Sequence, residues 1–217
     1  MEPLDNTATP PENTPEPKQE VKREVVELVK MVLLFLVLFW GLRTFVVEGY
    51  EVWGPSMLPT LEDGQRIFVF KLPHELSKLP FLSSLNAIHE GDIVVFDGKG
   101  EASKRYIKRV LAVGPARPRS KTVEADTGDE RRNTVRVEFH KGRVFVNNHP
   151  AQEDYLVPEE RNSPDKDMVY LRPGEYYVLG DHRSISKDSR TFGPVTNEQI
   201  VGKAVFRFWP LSKFGPL

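Results

Sequence analysis

The spacing of hydrophobic positions changes once along the chain, near residue 50. Before that point, residues 28–47 read LVKMVLLFLVLFWGLRTFVV, with sixteen apolar side chains in twenty; the exceptions are Lys30, Gly41, Arg43 and Thr44. A surface helix of a small domain carries one apolar stripe, whereas this run is apolar on every face. Its length approaches the ~20 residues that span a bilayer core. The uninterrupted part, Met31–Leu42, is only 12 residues long, but Lys30 and Arg43 stand near its ends, where long cationic side chains snorkel to the headgroups. The pattern predicts one transmembrane helix over residues 25–48. No A-x-A-like cleavage site follows it at Glu48-Gly49-Tyr50, so the helix is expected to be retained.

From Tyr50 onward the period is two and the punctuation is Gly and Pro. Arg66–Lys71, Asp92–Phe96, Tyr106–Val113, Val135–Phe139, Arg143–Asn147, Glu175–Leu179 and Val201–Trp209 read as strands. Asn147-Asn148-His149-Pro150 is a hairpin-type turn. No amphipathic helical pattern of 10–15 residues occurs in this region, so a mainly β body is expected over 49–217. Residues 72–90 form a Leu- and Pro-containing connection, residues 115–133 a polar loop or exposed hairpin, and roughly 115–170 an inserted β subdomain.

Composition separates the ends of the chain. Residues 1–20 hold five Pro, five acids and one Lys, too little apolar surface to offset ordering entropy, so residues 1–24 are read as a disordered acidic tail. The −4 of residues 1–20 leaves +3 for residues 21–217, within a net charge of −1. No basic excess exists to neutralise a phosphate backbone, which argues against nucleic-acid binding. The chain has no Cys, which excludes a thiol nucleophile, a disulfide scaffold and a Cys-based zinc site. Lys18, Lys22, Arg23 and Lys30 precede the apolar run, while after Arg43 the next cation is Arg66. The positive-inside rule therefore puts the N-terminus in the cytoplasm and the β body across the membrane.

Three clusters could carry chemistry. In Gly54-Pro55-Ser56-Met57-Leu58-Pro59-Thr60, two prolines fix φ around a serine, and a stiff turn presents a hydroxyl in one orientation, as a nucleophile requires. In Arg105-Tyr106-Ile107-Lys108-Arg109-Val110, Lys108 shares a strand face with Tyr106 and Val110, and Arg109 shares the opposite face with Ile107 and Leu111. Burial of the first face would lower the Lys108 pKa and leave a neutral amine competent as a general base. Bringing a lysine to near 8 takes about 3–4 kcal/mol. The third cluster, Gly180-Asp181-His182-Arg183-Ser184-Ile185-Ser186-Lys187-Asp188-Ser189-Arg190-Thr191-Phe192-Gly193, packs acids, bases and serines between two apolar strands. Read alone, each cluster also fits a structural turn, a solvated strand lysine or a solvated loop with an Asp188–Arg190 pair. Of five histidines only His182, beside Asp181, stands in a suggestive place, and no H-x-x-x-H spacing suggests a metal.

In this order, the apolar segment, S-M-x-P-T, Y-I-K-R-V and G-D-x-R-x-x-S-x-D-S-R resemble bacterial type I signal peptidase. The likeness covers residues ~28–217 and includes Arg43–Glu48, Gly91–Phe96, Gly174–Arg183 and Val201–Ala204. It implies a signal-peptidase-type β-sheet catalytic body with an inserted β-hairpin region behind one N-terminal transmembrane helix. It implies a serine endopeptidase without cofactor or metal, in which Ser56 is the nucleophile and Lys108 the general base. Ser186 would hydrogen-bond and orient Lys108, Asp188 and Arg190 would pair and hold the loop, and Asp181 would brace it. Arg109, pointing away from Lys108, would be structural. The Ser56 N–H would be one oxyanion donor. Tyr50, Val52, Met57, Tyr106 and Ile107 would line pockets for small side chains at substrate positions −1 and −3. The partners implied are signal peptides of exported preproteins, membrane lipid and a nearby export translocon, with the body on the extracytoplasmic side of the inner membrane. Many members carry a serine two before the nucleophile whose hydroxyl completes the oxyanion hole; Gly54 stands there and leaves the second donor open. His182 replaces a usual Asn, and Gly114-Pro115-Ala116-Arg117 replaces a usual Gly-Asp. Two other classes fit parts of the pattern. A self-cleaving repressor-like Ser-Lys protease would need a DNA-binding segment, and a non-catalytic membrane-anchored β-domain would not need Ser56, Lys108 and Ser186 together.

Overall fold

The computed structural model describes residues 17–41, 46–71, 74, 88–98, 104–115, 133–161 and 166–217. The chain forms two compact units, Met1–Arg43 and Thr44–Leu217. The first contains helix α1 (Pro17–Gly41). Pro17 suits a first helical position, where its missing N–H is no loss. The helix begins inside the stretch expected to be a disordered tail: Lys, Gln, Glu and Arg between 18 and 24 are all good helix formers, and a Glu27–Lys30 pair at 3.2 Å lies one turn further on. The uncharged run within α1, Met31–Gly41, has eleven residues, about 16 Å of rise and about half the thickness of a bilayer core. Among the described residues no helix is long and apolar enough to cross a membrane. Every large apolar side chain from Val32 to Trp40 is exposed, so no face of this stretch is covered.

The second unit is built of antiparallel strands: β1 (Val47–Glu51), β2 (Arg66–Phe70), β3 (Ile93–Asp97), β4 (Arg105–Val113), β5 (Val135–His140), β6 (Arg143–Val146), β7 (His149–Pro150), β8 (Lys166–Leu171), β9 (Glu175–Leu179), β10 (Val195–Thr196), β11 (Ile200–Trp209) and β12 (Gly215–Pro216). One sheet has the order β1-β2-β11-β3-β4-β9-β10, with β12 added beside β11; the other has the order β7-β6-β5-β8. A four-residue helix, α2 (Ser189–Phe192), follows β9. The mainly β expectation therefore holds, and every strand expected from the sequence is present. The additional strands β1, β7, β8, β10 and β12 are short or polar. Asn147 and Asn148 take positive φ, 48° and 69°, and join β6 to β7 as a tight hairpin turn. The expected connection 72–90 and loop 115–133 fall largely on residues outside the described ones.

Burial explains why some strands alternate and others do not. β2 alternates, with Ile67 and Val69 inside and Arg66 and Phe68 outside. β3 is buried on both faces: Ile93 and Val95 join one core cluster, Val94 and Phe96 a second. β9 likewise sends Tyr176 and Val178 to the second cluster and Tyr177 and Leu179 to a third. The third cluster joins the two sheets, since Val137, Phe139 and Val144 of β5 and β6 belong to it. Strand β4, whose partners are β3 and β9, thus touches all three clusters, through Ile107, Val110 and Leu111.

Candidate active site

Strand β4 places Lys108 opposite Val94 of β3, between Tyr106 and Val110. The side chain is 3% exposed. Burial pulls its pKa down from the ordinary lysine value to about 8, against the opposing pull of the Asp188 and Asp181 carboxylates. Its Nζ lies 2.7 Å from Ser56 Oγ and donates to the Ile107 carbonyl at 2.9 Å.

Ser56 sits on the turn between β1 and β2. Gly54 adopts φ +82°, a conformation that favours glycine, and its N–H donates to Asp63 Oδ1 at 2.6 Å. Leu58 N–H closes back on the Pro55 carbonyl and Leu61 N–H on the Met57 carbonyl. Met57, wholly buried, pins the turn into the first core cluster beside Val52. The carbonyl of Ser56 accepts from the N–H of His182, and His182 Nδ1 lies 3.3 Å from the Pro55 carbonyl. The serine turn is therefore tied to the loop after β9 by its own backbone.

That loop is held by two buried acids. Asp188 receives Arg190 through Nε and a second guanidinium nitrogen, at 2.8 Å each, accepts from Gly180 N–H at 3.0 Å and caps α2. Asp181 receives Arg109 at 2.9 and 2.7 Å. Arg109 also donates to the Gly91 carbonyl and Thr60 Oγ1, and its guanidinium lies 4.1 Å from the Tyr155 ring centre. Arg109 faces away from Lys108, as strand alternation requires. The expected Ser186–Lys108 hydrogen bond is not formed: Ser186 Oγ is buried without a hydrogen-bond partner. It is packed against Gly180, where an added Cβ would stand 2.2 Å from it. The close fit of the Gly180 backbone, not a bond to the amine, fixes the Ser186 side chain.

A serine hydroxyl in contact with a buried, easily neutralised amine is equipped for acyl transfer. The match to known proteins points the same way. The family model described as signal peptidase, peptidase S26, matches residues 25–125 and 133–209. The chain belongs to the signal peptidase family. Signal peptidase IB of Staphylococcus aureus (strain COL) is 31% identical over 211 residues, covering 89% of this chain and 94% of that protein. Signal peptidase I of Leptolyngbya laminosa is 32% identical over 219 residues, covering 96% and 92%. The crystal structure of a signal peptidase I from Enterococcus faecalis V583 matches with a TM-score of 0.39 at 24% identity, over 54% of this chain and 97% of that one. As a signal peptidase, the chain is a serine endopeptidase, a hydrolase that removes signal peptides.

Of the candidate pocket residues, the structure gathers four and separates one. Tyr50 and Ile107 pack on the cluster that contains Val52 and Met57. Tyr106 instead joins the second cluster, its ring 5.8 Å from that of Phe96 and 6.1 Å from that of Phe192. Sequence reasoning missed the segment between β7 and β8. Glu153 pairs with Arg183 at 2.6 Å, Tyr155 lies under Arg109, and Glu160 accepts from Ser184. Nothing local in that segment signals a role; its partners lie 24 to 30 residues further on and, for Tyr155, back on β4.

Proposed function

We propose that Ser56 is the nucleophile and Lys108 the general base of a membrane-anchored peptidase that cleaves exported preproteins after small residues in an Ala-x-Ala pattern. The observation that carries this reading is the 2.7 Å approach of Nζ to Oγ at an amine whose burial brings it to about 8. Neutral Lys108 takes the Ser56 proton as Oγ attacks the scissile carbonyl. The resulting ammonium then protonates the departing amine, leaving an acyl-enzyme ester. Lys108, neutral again, takes a proton from the water that attacks the ester, and as the adduct collapses the ammonium returns that proton to the departing Ser56 Oγ, freeing the signal peptide and restoring both groups. The Ser56 N–H serves as one oxyanion donor. Among the described residues β1 is bonded on one side only, to β2, so an extended substrate pairs as an added strand, with small side chains set over Tyr50, Val52, Met57 and Ile107. Asp181, Asp188 and Arg190 hold the loop and Ser186 fills its contact with Gly180.

Residues 25–48 anchor the chain in the inner membrane, with a cytoplasmic N-terminus and an extracytoplasmic body over 49–217. What supports this is the apolar run of residues 28–47, the cation bias before it, and the exposure of Val32–Trp40 on all faces. Lipid and the export translocon are then its neighbours, and anchoring raises the local concentration of scissile bonds. The test is cleavage of a defined precursor with an Ala-x-Ala site by full-length protein in detergent, with the cut located by mass spectrometry. Ser56→Ala and Lys108→Ala are expected to abolish cleavage in folded protein, and His182→Ala to retain part of it. An inactive His182→Ala beside an active Lys108→Ala would replace the dyad by a Ser-His arrangement.

A further inference from the structure

The segment between β7 and β8 belongs to the smaller sheet's side of the body, yet it grips the loop after β9 at two points and Arg109 of β4 at a third. Glu153 holds buried Arg183, which itself donates to the Gly180 carbonyl at 3.0 Å. Tyr155 lies face-on to Arg109, the partner of Asp181. Glu160, on a single 3₁₀ turn (Pro158–Arg161), accepts from the Ser184 N–H at 3.0 Å and the Ser184 hydroxyl at 3.1 Å, and lies 3.4 Å from His182 Nε2. Burial pushes the Glu160 carboxyl up, but the Ser184 hydrogen bonds and the neighbouring His182 outweigh it and hold the group below the usual range. His182 stands next in line: its ring nitrogen approaches the Pro55 carbonyl, its N–H donates to the Ser56 carbonyl, and its own carbonyl accepts from Ser186 N–H. One carboxylate thus ends a chain of contacts whose other end is the backbone of Ser56.

We propose that Glu160 is a positioning residue for Ser56, acting through His182 and Ser184, so that the smaller sheet's connection sets the orientation of the nucleophile. This rests on the reading of Ser56 as nucleophile. Such a residue acts on the chemical step and not on substrate affinity, because it touches neither substrate nor reacting atoms. A misplaced nucleophile loses rate steeply with small displacements.

The experiment measures kcat and KM for the defined precursor with full-length Glu160→Ala, Glu160→Gln, His182→Ala and the double variant Glu160→Ala/His182→Ala, with melting temperatures alongside. Glu160→Ala is expected to lower kcat about tenfold with KM within about twofold of wild type. Glu160→Gln, which keeps an acceptor for Ser184, should recover most of that loss. The double variant should be no slower than Glu160→Ala alone, since removing two links of one chain does not add. A wild-type kcat in Glu160→Ala, or losses that multiply in the double variant, would overturn the proposal. If Glu160→Ala unfolds, Glu160→Met decides, because it keeps the length of the side chain without an acceptor: a kcat below that of wild type at unchanged KM supports positioning and an unchanged kcat rejects it. Active Ser56→Ala would bring down the nucleophile assignment and this inference with it; inactive Ser56→Ala beside fully active Glu160→Ala would bring down the inference alone.

Discussion

Replacing Lys108 by Met is expected to destroy activity and to make the folded protein more stable at neutral pH. Burial lowers the Lys108 pKa from 10.5 to about 8. Holding the ammonium in this 3%-exposed site therefore costs about 3 kcal/mol relative to the unfolded chain, at ~1.36 kcal/mol per tenfold change in proton affinity. Met fills a similar volume without charge. It forfeits the contacts with Ser56 Oγ and the Ile107 carbonyl, each worth about 1 kcal/mol. The net gain is about 1 kcal/mol, or ~2–4 °C in melting temperature for a body of this size.

The sign of the effect changes with pH, which makes the prediction sharp. Below the folded value of about 8, Lys108 is charged in both states and the whole penalty is present. Between about 8 and 10.5 the unfolded chain still binds the proton that the folded chain has released, so wild-type stability rises with pH relative to the variant. Above that window the penalty is gone and only the lost hydrogen bonds remain, leaving Lys108→Met the less stable protein. The assay is circular-dichroism melting of the two proteins at pH 7 and at pH 10.5. A Lys108→Met protein that melts below wild type at pH 7, or a difference that is the same at both pH values, would refute the burial argument.

Cleavage rate should rise with pH through about 8, the value for Lys108, and a rate that falls from pH 6 to pH 9 would exclude a neutral amine as base. Arg190→Gln leaves the Asp188 charge without its bidentate partner, so the rise should move to more alkaline pH; Asp181→Asn removes an anion that favours the ammonium and should move it the other way. Gly180→Ala puts a Cβ 2.2 Å from Ser186 Oγ and 2.5 Å from the Ser56 carbonyl, so kcat should fall about 100-fold or more, measured on the same precursor.

Much of the site is legible in the sequence because its chemistry is local. Proline on both sides of Ser56 announces a stiff turn, and the period of two along β4 is enough to separate Lys108 from Arg109. The Asp188–Arg190 pair spans two residues and needs no long-range information. What escapes a sequence reading depends on contacts far apart along the chain. Arg109 and Asp181 are 72 positions apart, and Glu160 meets Ser184 across 24; no periodicity encodes either. Position along β4 suggests Tyr106 for the pocket, but it packs with Phe96 and Phe192 in the second cluster, whereas Val52 and Met57 belong to the first. The short strands β1 and β8 are hidden for a similar reason. β1 continues an apolar run, and Lys166-Asp167 opens β8 with charge, so neither alternates cleanly.

The two buried acids pose a problem that the arginines solve. A lysine can serve as a base near neutral pH only if nothing nearby makes the ammonium too favourable, yet Asp188 and Asp181 both pull Lys108 upward. Left alone in a site of low dielectric, either carboxylate would hold the proton on the amine. Each is instead engaged by a guanidinium in two-point contact, Asp188 by Arg190 and Asp181 by Arg109. Each pair is close to neutral seen from Lys108, so burial prevails and the amine is brought to about 8. The same acids are needed where they are, because Asp188 accepts from the Gly180 N–H and the Gly180 backbone packs against Ser186 and Ser56. Charge at this site thus serves geometry, and the arginines confine its effect on the base. An apolar substitute for either arginine would leave the loop's acid in place and turn it against the chemistry.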